Sequence, residues 1–315
     1  MNPALSVIFF TTLSGAGYGL LAWTALGALQ RQPARPLLLS LFVGLLLVTI
    51  GLLSSLAHLG QPQRAWRALS QWRTSWLSRE GVASTVTYLP ALGLGAALLP
   101  AMLAADARTA SIALGPLGVA CALALLLAAL VTVAWTAMIY ASLKPVPAWR
   151  HRLVLPVYLL FALFCGGLLA LAIHGFARAL PGAALLAGGS GAIALALCKW
   201  RYWQAIDATP LALQRGDAVG LPQRTVTLFE RPMTEGNYIT REMAFVLARA
   251  HARRLRLLAT VLFAAVPLAC VLLAIATAAL QPWLLALAAL SALAGAFVER
   301  WLFFAQARHL VTLYY

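Results

Sequence analysis

The sequence predicts an all-α integral membrane protein that folds as a bundle of eight transmembrane helices. Of its 315 residues, 63% are hydrophobic and only 10% are charged, whereas soluble proteins average about 45–50% apolar and about 25% charged residues. The chain also contains eight apolar runs of 18 or more residues. Each run is long enough to cross a hydrocarbon core of about 30 Å as a helix with its backbone polar groups satisfied internally.

In chain order, the predicted spans cover residues 4–28, 36–58, 81–104, 110–142, 153–175, 182–200, 257–280 and 283–306. The first run starts almost at Met1 without a basic segment and exceeds the apolar region of a signal peptide, so we predict a mature helix. Short connections favour antiparallel neighbours within a single transmembrane domain over residues 1–315. Lys199, at the end of the sixth predicted span, is counted with the loop that follows, so the first seven spans are expected to hold no charged residue. A transporter would place charges or unwound segments near the middle of the membrane, and this class is disfavoured.

Basic residues divide unequally between the two ends of the predicted bundle. The face that holds the N-terminus carries nineteen lysines and arginines, and the other face carries four, Arg31, Arg35, Arg108 and Arg178. By the positive-inside rule, we expect both termini in the cytoplasm. The net charge of +15 therefore reflects membrane topology, and we expect no nucleic acid partner.

Two long connections lie on the face that holds the N-terminus. If residues 61–79 are helical, they place an apolar stripe on one side, formed by Trp66, Leu69, Trp72 and Trp76. Such a stripe favours a helix lying in the membrane interface, although Trp and Arg also serve there as plain anchors. Residues 204–252 form a connection that is long for a compact bundle. Their apolar content favours a partner-docking surface over a packed cap.

A few polar residues approach the membrane at this same face. His58 ends the second predicted span, Glu80 opens the third, and Glu299 and Arg300 lie late in the eighth. Polar groups at this depth are costly unless they are paired, hydrated or functional. They suit a shallow quinone pocket, because histidine can accept a proton or a hydrogen bond and glutamate can carry the proton to water.

The first span contains the segment TTLSGAGYG, residues 11–19. Its small residues let a neighbouring helix or a flat ligand approach the backbone closely, and helix packing is the preferred explanation. Tyr18, within this segment, can offer its hydroxyl to a ligand.

We expect no metal centre in this chain. The cysteines lie singly in different predicted spans without a C-x-x-C spacing, at Cys121, Cys165, Cys198 and Cys270. This distribution favours packing over ligation. None of the five histidines is central in a span, and His174 is expected at the opposite face from the others. A haem between His58 and His151 stays open as an alternative.

The block HLGQPQRAWRALSQWRTSWLSREG, residues 58–81, resembles the membrane anchor subunit of dimethyl sulfoxide reductase and related molybdoenzymes. Three further segments extend this resemblance over essentially the whole chain: TTLSGAGYG, EGNYITREMAFVLARAHARRLR and ERWLFFAQARHLVTLYY. The long block is specific, whereas the glycine pattern alone would be weak.

The resemblance implies an eight-helix, haem-free anchor in the bacterial inner membrane that oxidises menaquinol or a related quinol in anaerobic respiration. The electrons would pass to an iron–sulfur subunit with four [4Fe–4S] clusters and then to a molybdopterin catalytic subunit. In the family, the residues that match His58 and Glu80 are associated with quinol binding and oxidation. Arg79, Tyr18 and Arg300 are added as further quinol-binding candidates.

Three points remain open at this level. Family anchors are often described with their partners on the outer face, whereas the arginine count predicts cytoplasmic docking, which we adopt. The terminal substrate, the quinone type and the direction of electron flow are not set by this chain. The chain could also be a purely structural tether, in which His58 caps its helix and Glu80 pairs with Arg79 or Arg64.

Overall fold

Among the residues that the structure describes, eight helices are long and apolar enough to cross a membrane, which confirms the predicted architecture. The fold is that of a computed structural model, which describes residues 3–57, 59–103, 113–209, 213–227, 229–230 and 251–313. The spans are α1 (Leu5–Leu29), α2 (Ala34–Leu56), α3 (Trp76–Met102), α4 (Pro116–Ala141), α5 (Val154–Ala177), α6 (Gly182–Ala208), α7 (Ala252–Ala276) and α8 (Gln281–Ala305).

Consecutive helices run antiparallel, which gives the bundle two distinct faces. The starts of α1, α3, α5 and α7 and the ends of α2, α4, α6 and α8 lie on one face, which we name the N-terminal face. The other end of the bundle is the opposite face. His174 lies in the last turn of α5 and therefore at the opposite face, as predicted.

Two helix boundaries differ from the prediction in a way that matters for the site. Helix α3 begins at Trp76 instead of residue 81, and α6 continues to Ala208 instead of ending at residue 200. Glu80 therefore lies inside α3, and Lys199, which the sequence analysis counted with the following loop, lies well before the end of α6, so the prediction that the first seven spans hold no charged residue is wrong. Each of these two helices has 27 residues and is therefore about 40 Å long, which exceeds the hydrocarbon core of about 30 Å. The helical hydrogen bonds therefore continue beyond the apolar run that hydropathy detects.

Helix α1 occupies the centre of the bundle and packs against α2, α4, α5 and α8. Its small residues permit this contact, since a side chain at Gly19 would collide with the carbonyl group of Ala162 in α5. A side chain at Gly166 of α5 would collide in turn with the backbone of α1. The packing explanation of the TTLSGAGYG segment is thus confirmed for Gly19, in keeping with small-residue contacts between membrane helices.

Helix α7 contains a π turn that contacts α8. The turn spans Val261–Ala265 and ends two residues before Pro267, which cannot donate a backbone hydrogen bond and crowds the preceding turn. The Ser291 hydroxyl of α8 donates to a carbonyl oxygen within this turn (2.8 Å). Gly295, four residues before the charged pair of α8, lies against the backbone of Phe263.

The connection between α2 and α3 contains a helix, which is of the 3₁₀ type and covers Pro62–Gln71. With about three residues per turn, Trp66, Leu69 and Trp72 share one exposed side, and Trp66 is 67% exposed. Ser78 donates a hydrogen bond to the carbonyl oxygen of Ala68 and so ties this connection to α3. Of the predicted docking connection 204–252, residues 210–212, 228 and 231–250 lie outside the described residues.

Candidate functional site

The structure places three of the five predicted site residues in the buried interior near the N-terminal face. Tyr18 of α1, Glu80 of α3 and Arg300 of α8 are each at most 4% exposed. Arg79 lies in the first turn of α3, and its side chain contacts the α2–α3 connection. His58, the residue predicted to bind quinol beside Glu80, lies outside the described residues.

Glu80 is a buried carboxylate that lacks the expected ionic partner. It is 4% exposed, and its Oε1 accepts no hydrogen bond from the part of the chain that the structure describes. Neither Arg79 nor Arg64 forms an ion pair with it, so the salt-bridge alternative is not seen among the described side chains. The carboxylate interacts electrostatically with the hydroxyl groups of Tyr18 and Tyr140.

Arg79 directs its guanidinium group toward the connection that precedes α3. Its Nε donates to the carbonyl oxygen of Trp72 (3.0 Å), and its Nη2 donates to that of Arg73 (2.6 Å). The guanidinium carbon lies 4.4 Å from the centroid of the Trp76 ring. These contacts show that Arg79 stabilises the segment between the 3₁₀ helix and α3. Its contact with quinol stays a prediction.

A second group of buried charges joins α6 to α8, and the sequence analysis missed it. We name Lys199, Glu299 and Arg300 the charged cluster; each side chain is at most 3% exposed. Lys199 forms an ion pair with Oε1 of Glu299, and Nη1 of Arg300 lies 3.2 Å from Oε2 of the same carboxylate. A buried charge is tolerated when it is paired in this way, because unpaired charges lose their hydration without compensation.

Aromatic rings surround the two cations of the charged cluster. The Arg300 guanidinium carbon lies 3.6 Å from the centroid of the Tyr158 ring, and Nζ of Lys199 lies 4.1 Å from that of Tyr202. Both distances are within the range of a cation–π attraction. Tyr202 and Trp203 follow Lys199 at spacings of three and four residues, which places all three on one helix face. This spacing is the sequence signal that would have revealed Lys199 as an inward-facing residue.

A small polar cavity lies between the charged cluster and Tyr18. Its volume is about 20 Å³, and its polar lining includes Thr11, Thr12, Thr136, Tyr18 and Arg300. That volume suits about one water molecule, and it is far below the roughly 300 Å³ at which small-molecule pockets begin. The cavity can therefore hydrate a path between Tyr18 and Arg300 but cannot hold a quinone ring.

Gly15 is the residue of the TTLSGAGYG segment that serves this cavity instead of helix packing. It lines the cavity, and no neighbouring atom lies within 4 Å of the position that a Cβ would take. Gly19, one turn later, is in contact with α5. The segment therefore combines a packed side with a side that leaves room for solvent.

The N-terminal face carries a wide hollow with a basic lining, which we name the basic hollow. Its volume is about 780 Å³, and its charged lining residues are Lys144, Arg150, Asp207, Arg256 and Arg308. Arg256 bridges Asp207 of α6, with Nη2 2.9 Å from Oδ1, and Gln306 at the end of α8. The remaining basic side chains give the hollow a positive field that favours acidic partners.

Hydrogen bonds from α6 and α8 hold the α4–α5 connection in place at the rim of the basic hollow. Trp149 donates from its indole to the carbonyl oxygen of Phe303 (2.9 Å), and Tyr202 donates to that of Ala148 (3.0 Å). His151 accepts through Nδ1 from the backbone N–H of Leu153 (3.2 Å). Burial, and secondarily the charge of a neighbouring arginine, lowers the pKa of His151 below its usual 6.5, which keeps the imidazole neutral and able to accept.

Comparison with known proteins agrees with the resemblance noted in the sequence. The family model described as DMSO reductase anchor subunit (DmsC) matches residues 1–306. A sulfite dehydrogenase subunit of Allochromatium vinosum is 31% identical over 336 aligned positions, which cover 100% of this chain and 99% of that protein. The match extends over all eight membrane helices.

Proposed function

Because this chain belongs to the DMSO reductase anchor subunit (DmsC) family, and is thus a membrane anchor of a molybdoenzyme-type complex, we propose that it oxidises a membrane quinol. Menaquinol or a related quinol is the proposed substrate, and an iron–sulfur subunit of the complex is the proposed electron acceptor. The catalytic molybdoenzyme subunits are the further partners that the family implies.

The observation that carries this proposal is the uncompensated carboxylate of Glu80. Oxidation of a quinol to a quinone releases two electrons and two protons, so the site needs bases close to the ring. Glu80 is buried beside the Tyr18 hydroxyl, with one carboxylate oxygen free of protein donors among the described residues. A buried carboxylate without a fixed partner is poised to bind a proton, which is the role of a general base.

We place the quinol headgroup between the end of α2 and the start of α3, at the N-terminal face. His58, which follows α2, is proposed to accept one quinol proton and Glu80 the other. Glu80 then passes its proton to water at the N-terminal face. The electrons leave through the acceptor subunit, which must dock close to this face.

The basic hollow and the 3₁₀ connection are the proposed docking surface for that acceptor. Both lie on the N-terminal face, and the hollow presents Lys144, Arg150 and Arg308 to an incoming acidic surface. We propose that this face is cytoplasmic and that the membrane is the bacterial inner membrane, following the excess of basic residues.

In a second candidate function, the same site reduces a quinone instead of oxidising a quinol. The relative from Allochromatium vinosum is named as part of a sulfite dehydrogenase, and oxidation of sulfite would send electrons toward the membrane. The anchor would then reduce a quinone, which takes up two electrons and two protons, and Glu80 would act as a proton donor. The terminal substrate, an S- or N-oxide or sulfite, would decide which direction operates.

The decisive experiment measures binding of a fluorescent quinol analogue by membranes that contain this chain with its co-purifying partners. Wild type is compared with His58→Ala and Glu80→Gln, and the matched controls are His251→Ala and Glu230→Gln, two residues that are exposed at the surface. We expect saturable quenching in wild type and both controls, and a lower stoichiometry of saturable binding in His58→Ala. Quinol-dependent reduction of the partner subunits should fall at least about 100-fold in Glu80→Gln, the scale of a lost general base.

A soluble dye that reduces the partner subunits directly serves as the assembly control. Its activity should stay unchanged in every variant, since the dye bypasses the anchor. Quinol-dependent activity that stays normal in both His58→Ala and Glu80→Gln would contradict the proposal and favour a structural tether. Quinone reduction by the complex, lost in the same variants, would establish the reverse direction.

A further inference from the structure

A lateral groove lies in the half of the bundle that the proposed quinol reaction does not use. It has a volume of about 320 Å³ and opens between α1 and α6, with α5 as its floor. On α5 its lining runs from Leu160 to His174 and ends with Arg178 beyond the helix. The groove therefore extends from the middle of the membrane to the opposite face.

The inner part of the groove is apolar and opens toward lipid. Its floor includes Leu163, Phe164 and Leu171, and its two edges are Trp23 of α1 and Ala187 of α6. Trp23 is 40% exposed, and Ala187 is exposed as well. Because these edges lie in membrane-spanning helices, the opening between them faces the hydrocarbon core, so a hydrophobic ligand can enter sideways.

The outer part of the groove carries a polar group with no partner. His174 is 6% exposed, and its Nδ1 makes no hydrogen bond to any described residue. Ser40, fully buried on another wall, also has a hydroxyl without a partner in the described ranges. A buried donor or acceptor left unpaired costs about 1–3 kcal/mol, which a bound ligand would recover. The side-chain amides of Gln30 and Gln32 line the same end.

We propose that the lateral groove is a second ligand site, which binds a quinone-type amphiphile with its ring at His174 and its single apolar chain along α5. An imidazole nitrogen can donate to a quinone carbonyl or accept from a quinol hydroxyl. The volume lies at the lower end of the about 300–1,000 Å³ of small-molecule pockets, which suits one ring and the start of one chain. A phospholipid with two acyl chains does not fit in this space.

This site is separate from the one proposed at Glu80 and does not rest on it. His174 lies 16 residues beyond Tyr158 on the same helix, which corresponds to about 24 Å along the helix axis. Tyr158 contacts Arg300 near the N-terminal face. A ring at His174 therefore occupies the other leaflet, and binding there requires no redox step.

A photoreactive menaquinone analogue tests the proposal on the purified complex in lipid. Cross-linked peptides are identified by mass spectrometry in wild type and in Ala187→Trp, which narrows the mouth of the groove. Leu186→Trp is the matched control, because Leu186 is exposed on the same helix but does not line the groove. We expect cross-links within residues 160–191 in wild type and in Leu186→Trp, and their loss in Ala187→Trp.

Two further variants separate this site from the proposed reaction. His174→Leu should weaken analogue binding in the groove about tenfold, the effect of one hydrogen bond of about 1.4 kcal/mol. Glu80→Gln should leave the groove cross-links unchanged even though it blocks quinol oxidation. Cross-links that persist in Ala187→Trp, or a phospholipid retained in the groove in place of the analogue in native mass spectrometry, would overturn the proposal.

Discussion

Two buried carboxylates at the same face of the bundle differ in how their charge is compensated. Glu299 in α8 is fully buried, and both of its oxygens face cations, Lys199 on one side and Arg300 on the other. Glu80 in α3 is also buried, yet it has no ion pair among the residues that the structure describes, and its charge interacts with the hydroxyl groups of Tyr18 and Tyr140.

This difference separates a structural role from a chemical one. A carboxylate held between two cations stays ionised and fixes the geometry of the helices that carry them. A carboxylate without a fixed partner changes its protonation state more readily, which a proton-coupled reaction requires. Burial alone therefore does not distinguish the two roles, because both carboxylates are buried and only their compensating charges differ.

The largest effect is expected from Glu299→Gln. The change leaves Lys199 and Arg300 as uncompensated charges in the bundle interior, and breaking a buried pair typically costs about 3–5 kcal/mol. We expect a lower Tm of the detergent-solubilised complex and less anchor in the membrane. Glu80→Gln should leave the Tm unchanged or raise it, because it removes a charge that has no ionic partner.

The double variant Lys199→Met with Glu299→Gln sharpens this test. Removing both members of the pair should lower the stability by less than the sum of the two single changes. In the double variant, neither Lys199 nor Glu299 is left as a charge that has lost the other. The surface change Glu230→Gln is the control for loss of a carboxylate charge. A Glu299→Gln protein as stable as wild type would show that the charged cluster does not hold α6 to α8.

An intermediate effect is expected from Tyr18→Phe. The Tyr18 hydroxyl interacts with the Ser84 hydroxyl and with the charge of Glu80, but it meets strict hydrogen-bond geometry with no described residue, so its loss costs little stability. We expect quinol-dependent turnover to fall severalfold, less than in Glu80→Gln, since the tyrosine assists the carboxylate without replacing it.

Tyr202→Phe is the matched control for this change. Its hydroxyl donates to the carbonyl oxygen of Ala148, so the variant should lose about 1 kcal/mol of stability while turnover stays normal. If Tyr18→Phe lowered the Tm and left turnover intact, the polar region around Glu80 would be structural, and the contrast with Glu299 would disappear.

The eight spans could be predicted from the sequence because transfer of apolar residues to lipid dominates the free energy of each segment. Lys199 was missed for a related reason: hydropathy detects where charge begins, and the lysine was assigned to a loop although α6 continues to Ala208. Its compensation by Glu299, a residue 100 positions later, depends on helix packing, which composition does not determine.

The candidate site was predictable only in part. Glu80 and Arg300 were selected because polar residues near a bilayer are costly, and the structure buries both. The sequence could not predict which glycine of TTLSGAGYG packs against a helix and which lines a cavity. Gly15 faces the cavity and Gly19 faces α5, although the two residues are identical. Arg79 was selected by its position in the motif, whereas its guanidinium N–H groups bond to nearby carbonyl oxygens, a contact that local chain geometry decides.

The smallest expected effect concerns His151, which lies outside the membrane-spanning helices. Substituting it tests whether the loss of stability at acidic pH comes from the buried carboxylates alone. Its pKa is lowered below 6.5 in the folded protein, so the unfolded chain binds a proton first as the pH falls. Stability from this residue is therefore present at neutral pH and is lost as the pH falls below about 6.5.

Asn can offer an oxygen where Nδ1 accepts from Leu153, so His151→Asn should keep the contact without titrating. Between pH 7.5 and 5.5, we expect wild type to lose more Tm than this variant, by no more than about two degrees because the histidine is half-exposed. Identical pH profiles for the two proteins would assign the acid response to other groups, with the carboxylate of Glu80 as the first to examine.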